Sequence, residues 1–140
     1  MSGKFFLDTN LFVYATDKHE PVKRSIALEL IREVTVNGGG VISYQVMHEF
    51  FNVVLNKTPR KMRHEEAQQF LETVFRQMEP VPSSFALVSE AIRIQERYRL
   101  SWYDSLIVSA AQQAGCDVLY SEDLQHGQQF GSVTVQNPFL

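Results

Sequence analysis

Hydrophobic and polar positions follow two rhythms along this chain, and the rhythm switches repeatedly. Phe5-Phe6-Leu7, Val41-Ile42-Ser43, Val118-Leu119-Tyr120 and Val133-Thr134-Val135 are short apolar runs bounded by polar or glycine residues. Such runs suit strands buried on both faces of a parallel sheet, and they predict strands over 4–8, 41–43, 117–120 and 133–135. Between them the apolar spacing lengthens to three and four residues, the period of a helix packed by one face. Val22, Ile26, Leu30 and Val34 predict a helix over 22–36. Val46, Phe50, Val53 and Val54 predict one that Ser43 or Tyr44 opens and that ends near Lys57. Ala67, Phe70, Leu71, Val74 and Phe75 mark a helix from His64 to Met78, and Ala86, Leu87, Ala91, Ile92 and Ile94 one from about Ser84 to Tyr98. A short helix over 10–15 and a last one from Trp102 to Ala114 complete the set.

Breaker residues punctuate this pattern where they should. Gly38-Gly39-Gly40 stops one helix, and Pro59 closes another, so that 44–78 becomes a helical hairpin hinged at Thr58-Pro59-Arg60-Lys61. Gly115 suits a left-handed C-cap. Glu79-Pro80-Val81-Pro82 is too rich in proline for a central strand and leaves room only for a short edge piece. Strand alternating with helix is the pattern of a parallel sheet covered on both faces. The expected fold is an α/β three-layer α/β/α sandwich with a short, mainly parallel central sheet, and at 140 residues, 44% of them hydrophobic, one domain over 1–140.

Composition narrows the setting. Cys116 is the only cysteine, so no disulfide forms, and a lone thiol with no zinc spacing around it reads as a core residue. Met1-Ser2-Gly3-Lys4 lacks the regions of a signal peptide and no apolar run is long enough to span a bilayer, so the expected address is the cytoplasm, away from membranes. A net charge of −3 argues against strong nonspecific nucleic-acid binding but leaves room for local basic patches. Two exist: Lys57, Arg60, Lys61 and Arg63 at the hairpin hinge, and Arg93, Arg97 and Arg99 before the helix that carries Asp104. Each also has a plain reading, a solvated turn for the first and helix-dipole partners for the second.

Candidate chemistry lies in four acids, Asp8, Glu49, Asp104 and Asp123, each at the end of a predicted strand or in the helix beyond it. The C-terminal edge of an open α/β sheet is where ligands bind. Each acid also has a structural explanation. Asp8 can cap the helix that follows it. Asp104 stands three residues after Ser101, a capping-box spacing, although the box prefers Glu or Gln. Glu49 lies on a polar stripe with Gln45, Asn52 and Asn56, and Asp123 can belong to a turn after Ser121. Independent capping does not require all four to fall where one sheet edge could gather them. If they meet, two charges about 4 Å apart repel by roughly 4 kcal/mol at an effective dielectric of 20, so the group must raise its own pKa values or bind a cation. Carboxylates without His or Cys suit Mg²⁺ or Mn²⁺. His19, His48, His64 and His126 form no zinc spacing and read as surface or packing residues.

Phe6-Leu7-Asp8-Thr9-Asn10, the helical Glu49, Tyr103-Asp104-Ser105-Leu106-Ile107 and Leu119-Tyr120-Ser121-Glu122-Asp123-Leu124 resemble the successive motifs of the PIN-domain family. The resemblance covers nearly the whole chain and is closest in size to the VapC toxins of VapBC toxin–antitoxin pairs. It implies a PIN-like fold and a Mg²⁺- or Mn²⁺-dependent endoribonuclease, with Asp8, Glu49, Asp104 and Asp123 as catalytic and metal-holding acids and Asn10 and Ser121 as polar helpers. It also implies an RNA substrate, a VapB-like antitoxin partner and a homodimer. Glu122 competes with Asp123 for the last position, and motif alignment favours Asp123. Glu29 and Glu33 precede the second strand and are poor substitutes for Glu49.

Other readings differ at single residues. A receiver-like phosphoacceptor domain wants an acidic pair after the first strand, and Asp8 is followed by Thr9 and Asn10. A haloacid-dehalogenase-type phosphatase needs a second Asp where Asn10 stands. A stand-alone RNA-processing PIN nuclease and a non-catalytic PIN scaffold that binds RNA or protein share the whole pattern; the retained acids count against the scaffold.

Overall fold

The computed structural model describes residues 3–140; Met1 and Ser2, part of the stretch read for a leader, lie outside it. The chain runs through β1 (Phe5–Leu7), α1 (Thr9–Thr16), α2 (Pro21–Val36), β2 (Gly40–Ser43), α3 (Tyr44–Asn56), α4 (His64–Thr73), a 3₁₀ turn (Phe75–Gln77), β3 (Glu79–Val81), α5 (Phe85–Tyr98), α6 (Trp102–Gln113), β4 (Val118–Tyr120), β5 (Gln129–Phe130) and β6 (Val133–Gln136). The sheet order is β3-β2-β1-β4-β6-β5, parallel throughout except for the pairing of β5 with β6. The fold class is thus the mixed α/β arrangement with a mainly parallel sheet that the alternating pattern implies. Among the described residues, no helix is long and apolar enough to cross a membrane.

The strand order sets β1 between β2 and β4. From β1 the chain steps outward to β2 and β3, then returns through α5 and α6 to place β4 on the other side of β1. Right-handed crossovers put α1 to α4 on one face and α5 and α6 on the other; α1 packs on α2 and α3, and α5 packs on α6. The direction of winding reverses between β1 and β4, which opens a crevice at the carboxyl ends of those strands. Register there is tight, with Phe5 opposite Val118 and Leu7 opposite Tyr120. The chain segments that leave these two strands therefore begin side by side.

Local sequence explains the element ends. Ser43, Ser84 and Ser101 accept from the backbone N–H three residues on and start α3, α5 and α6. Pro80 sits in β3, which pairs only with β2 at the sheet edge, where a missing N–H is tolerated. Gly115 takes the left-handed conformation after α6, as its position implies (φ +71°). Cys116 is buried, as its isolation in the sequence suggests.

Three expectations change. The row Val22, Ile26, Leu30, Val34 does not face the core as a unit: Val22 is 71% exposed, and the buried face is Ala27, Leu30, Ile31 and Val34. A strict four-residue row drifts about 40° per step around a helix of 3.6 residues per turn, so its first members rotate out. Ile92 is likewise exposed while Ala91 and Ile94 are buried. The helix expected to reach Met78 stops at Thr73, because the chain tightens into the 3₁₀ turn that drives Phe75 into the core. There Phe75 meets Phe12 (4.9 Å between ring centroids), and Phe50 stacks on Phe70 (4.6 Å). This aromatic cluster joins α1, α3 and α4. Finally, β5 is a two-residue antiparallel strand in a segment that carries no apolar run.

The entry to β2 generates a test. Gly39 has φ +85°, its carbonyl accepts from Phe5 N–H at 2.7 Å, and a Cβ there would stand 2.4 Å from the Gly3 carbonyl oxygen. Gly38, at φ +79°, has open space around it. Gly39→Ala is expected to cost about 2 kcal/mol or more, and Gly38→Ala only the left-handed backbone cost of about 1 kcal/mol. Thermal unfolding of both variants checks this; equal losses would show that the close approach to Gly3 is immaterial.

Candidate active site

Asp8 follows β1 and is drawn to β4 by its backbone, whose N–H donates to the Tyr120 carbonyl at 3.0 Å. Its side chain is nearly enclosed, at 6% exposure. Oδ1 accepts from the Thr9 N–H at 2.7 Å and Oδ2 from the Ser121 hydroxyl at 2.8 Å. Asp8 is therefore the N-cap of α1 and also the residue that ties β1 to the segment leaving β4. The Ser121 oxygen accepts in turn from the Asp123 N–H at 3.1 Å, and Asp123 Oδ2 accepts from Asn10 Nδ2 at 2.9 Å. Asn10 and Ser121 thus each touch a candidate acid, Asn10 from the first turn of α1 and Ser121 from the end of β4.

Burial and neighbouring charge act on these acids together. The Asp8 carboxyl is raised to about 7, first by burial, against the lowering by its bonds to Ser121 and Thr9 and with a further push from the charges of Asp123 and Asp104. Asp123 is raised as well, first by burial, then by the charges of Asp104 and Glu122. The charge of Asp104 therefore reaches both Asp8 and Asp123, and that of Asp123 reaches Asp8. Asp104 arrives from the first turn of α6, where its N–H donates to Ser101 Oγ at 3.1 Å. Only that half of the capping box is made: among the described residues, no donor bonds the Asp104 carboxylate, which stays available to the crevice.

Glu49 stands beside this trio. Its Oε1 accepts from Gln45 Nε2 at 2.7 Å, and the same amide donates to the Tyr103 carbonyl at 3.3 Å, one residue from Asp104. Its charge is absent from those that perturb Asp8 and Asp123. Its link to the other acids runs through Gln45, a connector that the sequence offered only as a member of a polar stripe. That stripe is real, since Asn56 also bonds Asn52 at 3.1 Å.

The two consecutive acids after β4 part company. Glu122 turns to Tyr14 and Lys23, accepting from the tyrosine hydroxyl and from Lys23 Nζ at 2.9 Å, while Asp123 turns to Asn10. The basic clusters are partly neutralised: Arg63 pairs with Glu66 at 3.2 Å and Arg93 with Glu90 at 2.9 Å, and Arg97 lies over the Tyr98 ring. Lys57, Arg60 and Lys61 are exposed at the hairpin hinge, and all four histidines are exposed.

The donor set fits a hard divalent cation in kind, being oxygen alone. In spacing, among the described residues no group of three or more His, Cys, Asp and Glu side chains is gathered closely enough to hold a metal ion. The fit is therefore to an ion that keeps several waters and takes one or two carboxylates directly, the habit of Mg²⁺. Thr9 adds a buried hydroxyl oxygen without a partner next to Asp8.

A family model described as the PIN domain matches residues 5–128. Among proteins of curated function, none matches in sequence. Solved structures similar in fold include a DNA-bound VapBC from Salmonella typhimurium (17% identity, TM-score 0.69, covering 98% of this chain and 99% of that one). Another is VapBC2 from Rickettsia felis, bound to a promoter DNA fragment (22% identity, TM-score 0.66, 95% and 97%). A third is the Mycobacterium tuberculosis toxin VapC20, described as cleaving the sarcin–ricin loop (13% identity, TM-score 0.60, 84% and 88%).

The state of Asp8 has a thermodynamic signature. Folding raises its carboxyl from 3.8 to about 7, so between those values the folded protein holds a proton that the unfolded chain has released. Stability of the metal-free protein is fullest below the lower value and falls as pH rises through the upper one. Asp8→Asn removes the titration and can donate to Ser121. In EDTA at pH 8 this variant is expected to be about 2–4 kcal/mol more stable than the wild type, and nearly equal to it at pH 4. Thermal unfolding across that range checks this, and a wild type as stable as the variant at pH 8 would contradict it.

Proposed function

The chain belongs to the PIN domain family, and on that footing we propose that it is a divalent-metal-dependent endoribonuclease, the toxin of a type II toxin–antitoxin pair acting in the cytoplasm. The observation that carries this reading is the buried Asp8 beside Asp104 and Asp123 at the β1/β4 crevice, with a carboxyl raised to about 7. A structural cap has no use for two further acids in its field. A cation site does, because a bound ion turns that repulsion into attraction.

In this reading Asp8, Asp104 and Asp123 would hold one or two Mg²⁺ or Mn²⁺ ions, one or two of the carboxylates directly and the rest through bound water, and Glu49 would contribute through Gln45 or water. When bound, such an ion lowers the pKa of a coordinated water for attack on a phosphodiester and offsets charge on the phosphate oxygens. The chain's own groups prepare the place. The Thr9 N–H and Ser121 hydroxyl fix both oxygens of Asp8, and Asn10 fixes one oxygen of Asp123. Asp8 gives up its proton as the cation arrives, so metal binding strengthens as pH rises toward and beyond 7. Without a cation, the ionised carboxylates at the crevice would repel the RNA backbone. No side chain serves as covalent nucleophile: Ser121 spends its proton on Asp8, and Ser105 donates to the Ser101 carbonyl. The exposed Lys57, Arg60 and Lys61 suit phosphate contacts further along the strand.

The partner assignment rests on analogy of fold. The similar structures from Salmonella typhimurium and Rickettsia felis are VapBC complexes on DNA, and we extend to this chain a VapB-like antitoxin and a homodimeric assembly.

The test is cleavage of RNA by the purified chain with Mg²⁺, with Mn²⁺ and with EDTA. Cleavage is expected with either ion and none with EDTA. Asp8→Asn and Asp104→Asn are each expected to lower it by roughly 10²-fold or more, and Glu49→Gln by less. Cleavage that persists in EDTA, or a folded Asp8→Asn variant with unchanged activity, sinks the proposal.

A further inference from the structure

Glu122 and Asp123 are consecutive acids on the segment leaving β4, and one helix holds both. Asn10 and Tyr14 stand four residues apart on α1 and so share a face. Asn10 Nδ2 donates to Asp123 at 2.9 Å, and the Tyr14 hydroxyl donates to Glu122 Oε1. Lys23, from α2, completes the arrangement by donating to Glu122 Oε2 at 2.9 Å and to the Tyr14 oxygen at 3.3 Å. Its ammonium lies 4.7 Å from the centre of the Tyr14 ring and 5.3 Å from that of Phe139, and these two rings meet edge to face at 5.2 Å. The Glu122 side chain is only 18% exposed and that of Lys23 34%. This is a shielded ion pair under an aromatic cover, unlike the exposed pairs elsewhere on the surface, and such partly desolvated contacts hold geometry better than surface pairs do.

Glu122 is fixed at both oxygens, so the backbone between it and Asp123 has little freedom to carry Asp123 away from Asn10. We propose that Lys23 and Tyr14 are positioning residues that clamp Glu122 and thereby hold Asp123 where a divalent cation can use it. The inference rests on the metal-site reading above, and it gives Glu122 the task of anchor, leaving the cation to Asp123.

The experiment follows Mn²⁺ binding to the metal-free protein at pH 8 by electron paramagnetic resonance, with RNA cleavage measured in parallel. Lys23→Met and Tyr14→Phe are expected to weaken Mn²⁺ binding about tenfold, the usual scale for residues that orient a ligand, while unfolding cooperatively. Lys23→Arg keeps a cation within reach of Glu122 and is expected to recover most of the affinity. In an Asp123→Asn background, Lys23→Met is expected to change Mn²⁺ affinity no further, because the clamp acts through Asp123. Unchanged Mn²⁺ affinity in folded Tyr14→Phe and Lys23→Met overturns the positioning role, as does the same tenfold loss in the Asp123→Asn background. If the wild type binds Mn²⁺ and cleaves RNA while the clamp variants match it, only the positioning role falls. A wild type that neither binds Mn²⁺ nor cleaves RNA removes the metal-site reading and the positioning role together.

Discussion

Burial of one carboxylate between β1 and β4 sets the terms for the rest of the site. Asp8 is almost closed off from solvent, and its two oxygens are spoken for by the Thr9 N–H and the Ser121 hydroxyl. Those bonds join the first turn of α1 to the segment after β4, so the same contact that starts a helix closes the crevice at the point where the sheet reverses its winding. Burial opposes ionisation, and two more acids oppose it further. Burial and neighbouring charge therefore favour the protonated form of Asp8, the condition on which the proposed cation site rests.

Capping and chemistry are not rivals here. Asp8 caps α1 and Ser101 caps α6, yet in each case the cap leaves something for the crevice. Asp8 is held rigidly by its capping role, and Asp104 is spared because Ser101 makes its half of the box without a return bond. The helix starts orient the acids, and the strand order brings Asp8 and Asp123 within reach of the charge of Asp104. Glu49 follows a different logic: its amide connector, Gln45, reaches the Tyr103 carbonyl and places Glu49 at the margin of the trio.

The cost of gathering acids is visible around them. Lys23 sits against Glu122 and two aromatic rings, and Asn10 brings a neutral donor to Asp123. The sheet beneath is rigid by comparison, with its strands buried and the phenylalanines of α1, α3 and the 3₁₀ turn packed edge to face. The acids are thus carried on a sheet and an aromatic cluster built from apolar side chains, to which Asp8 adds its cap and its tie to Ser121.

Much of this was legible in the sequence because it is encoded locally. Apolar runs bounded by glycine or polar residues marked β1, β2, β4 and β6, and serine before an apolar-periodic stretch marked three helix starts. The acids could be picked out because they follow those runs, and the motifs around them pointed to the PIN domain family to which the chain belongs. What the sequence could not decide was everything that depends on contacts between distant segments. The drift of Val22 out of the core, the turn that carries Phe75 inward and the pairing of β5 all follow from packing against neighbours remote in the chain. So does the parting of Glu122 from Asp123, which adjacent positions in the sequence cannot distinguish. Period and capping are properties of a few consecutive residues, so the chain determined its elements and its candidate acids. Proximity, burial and field are properties of the folded sheet, so only the tertiary structure decided which acids meet.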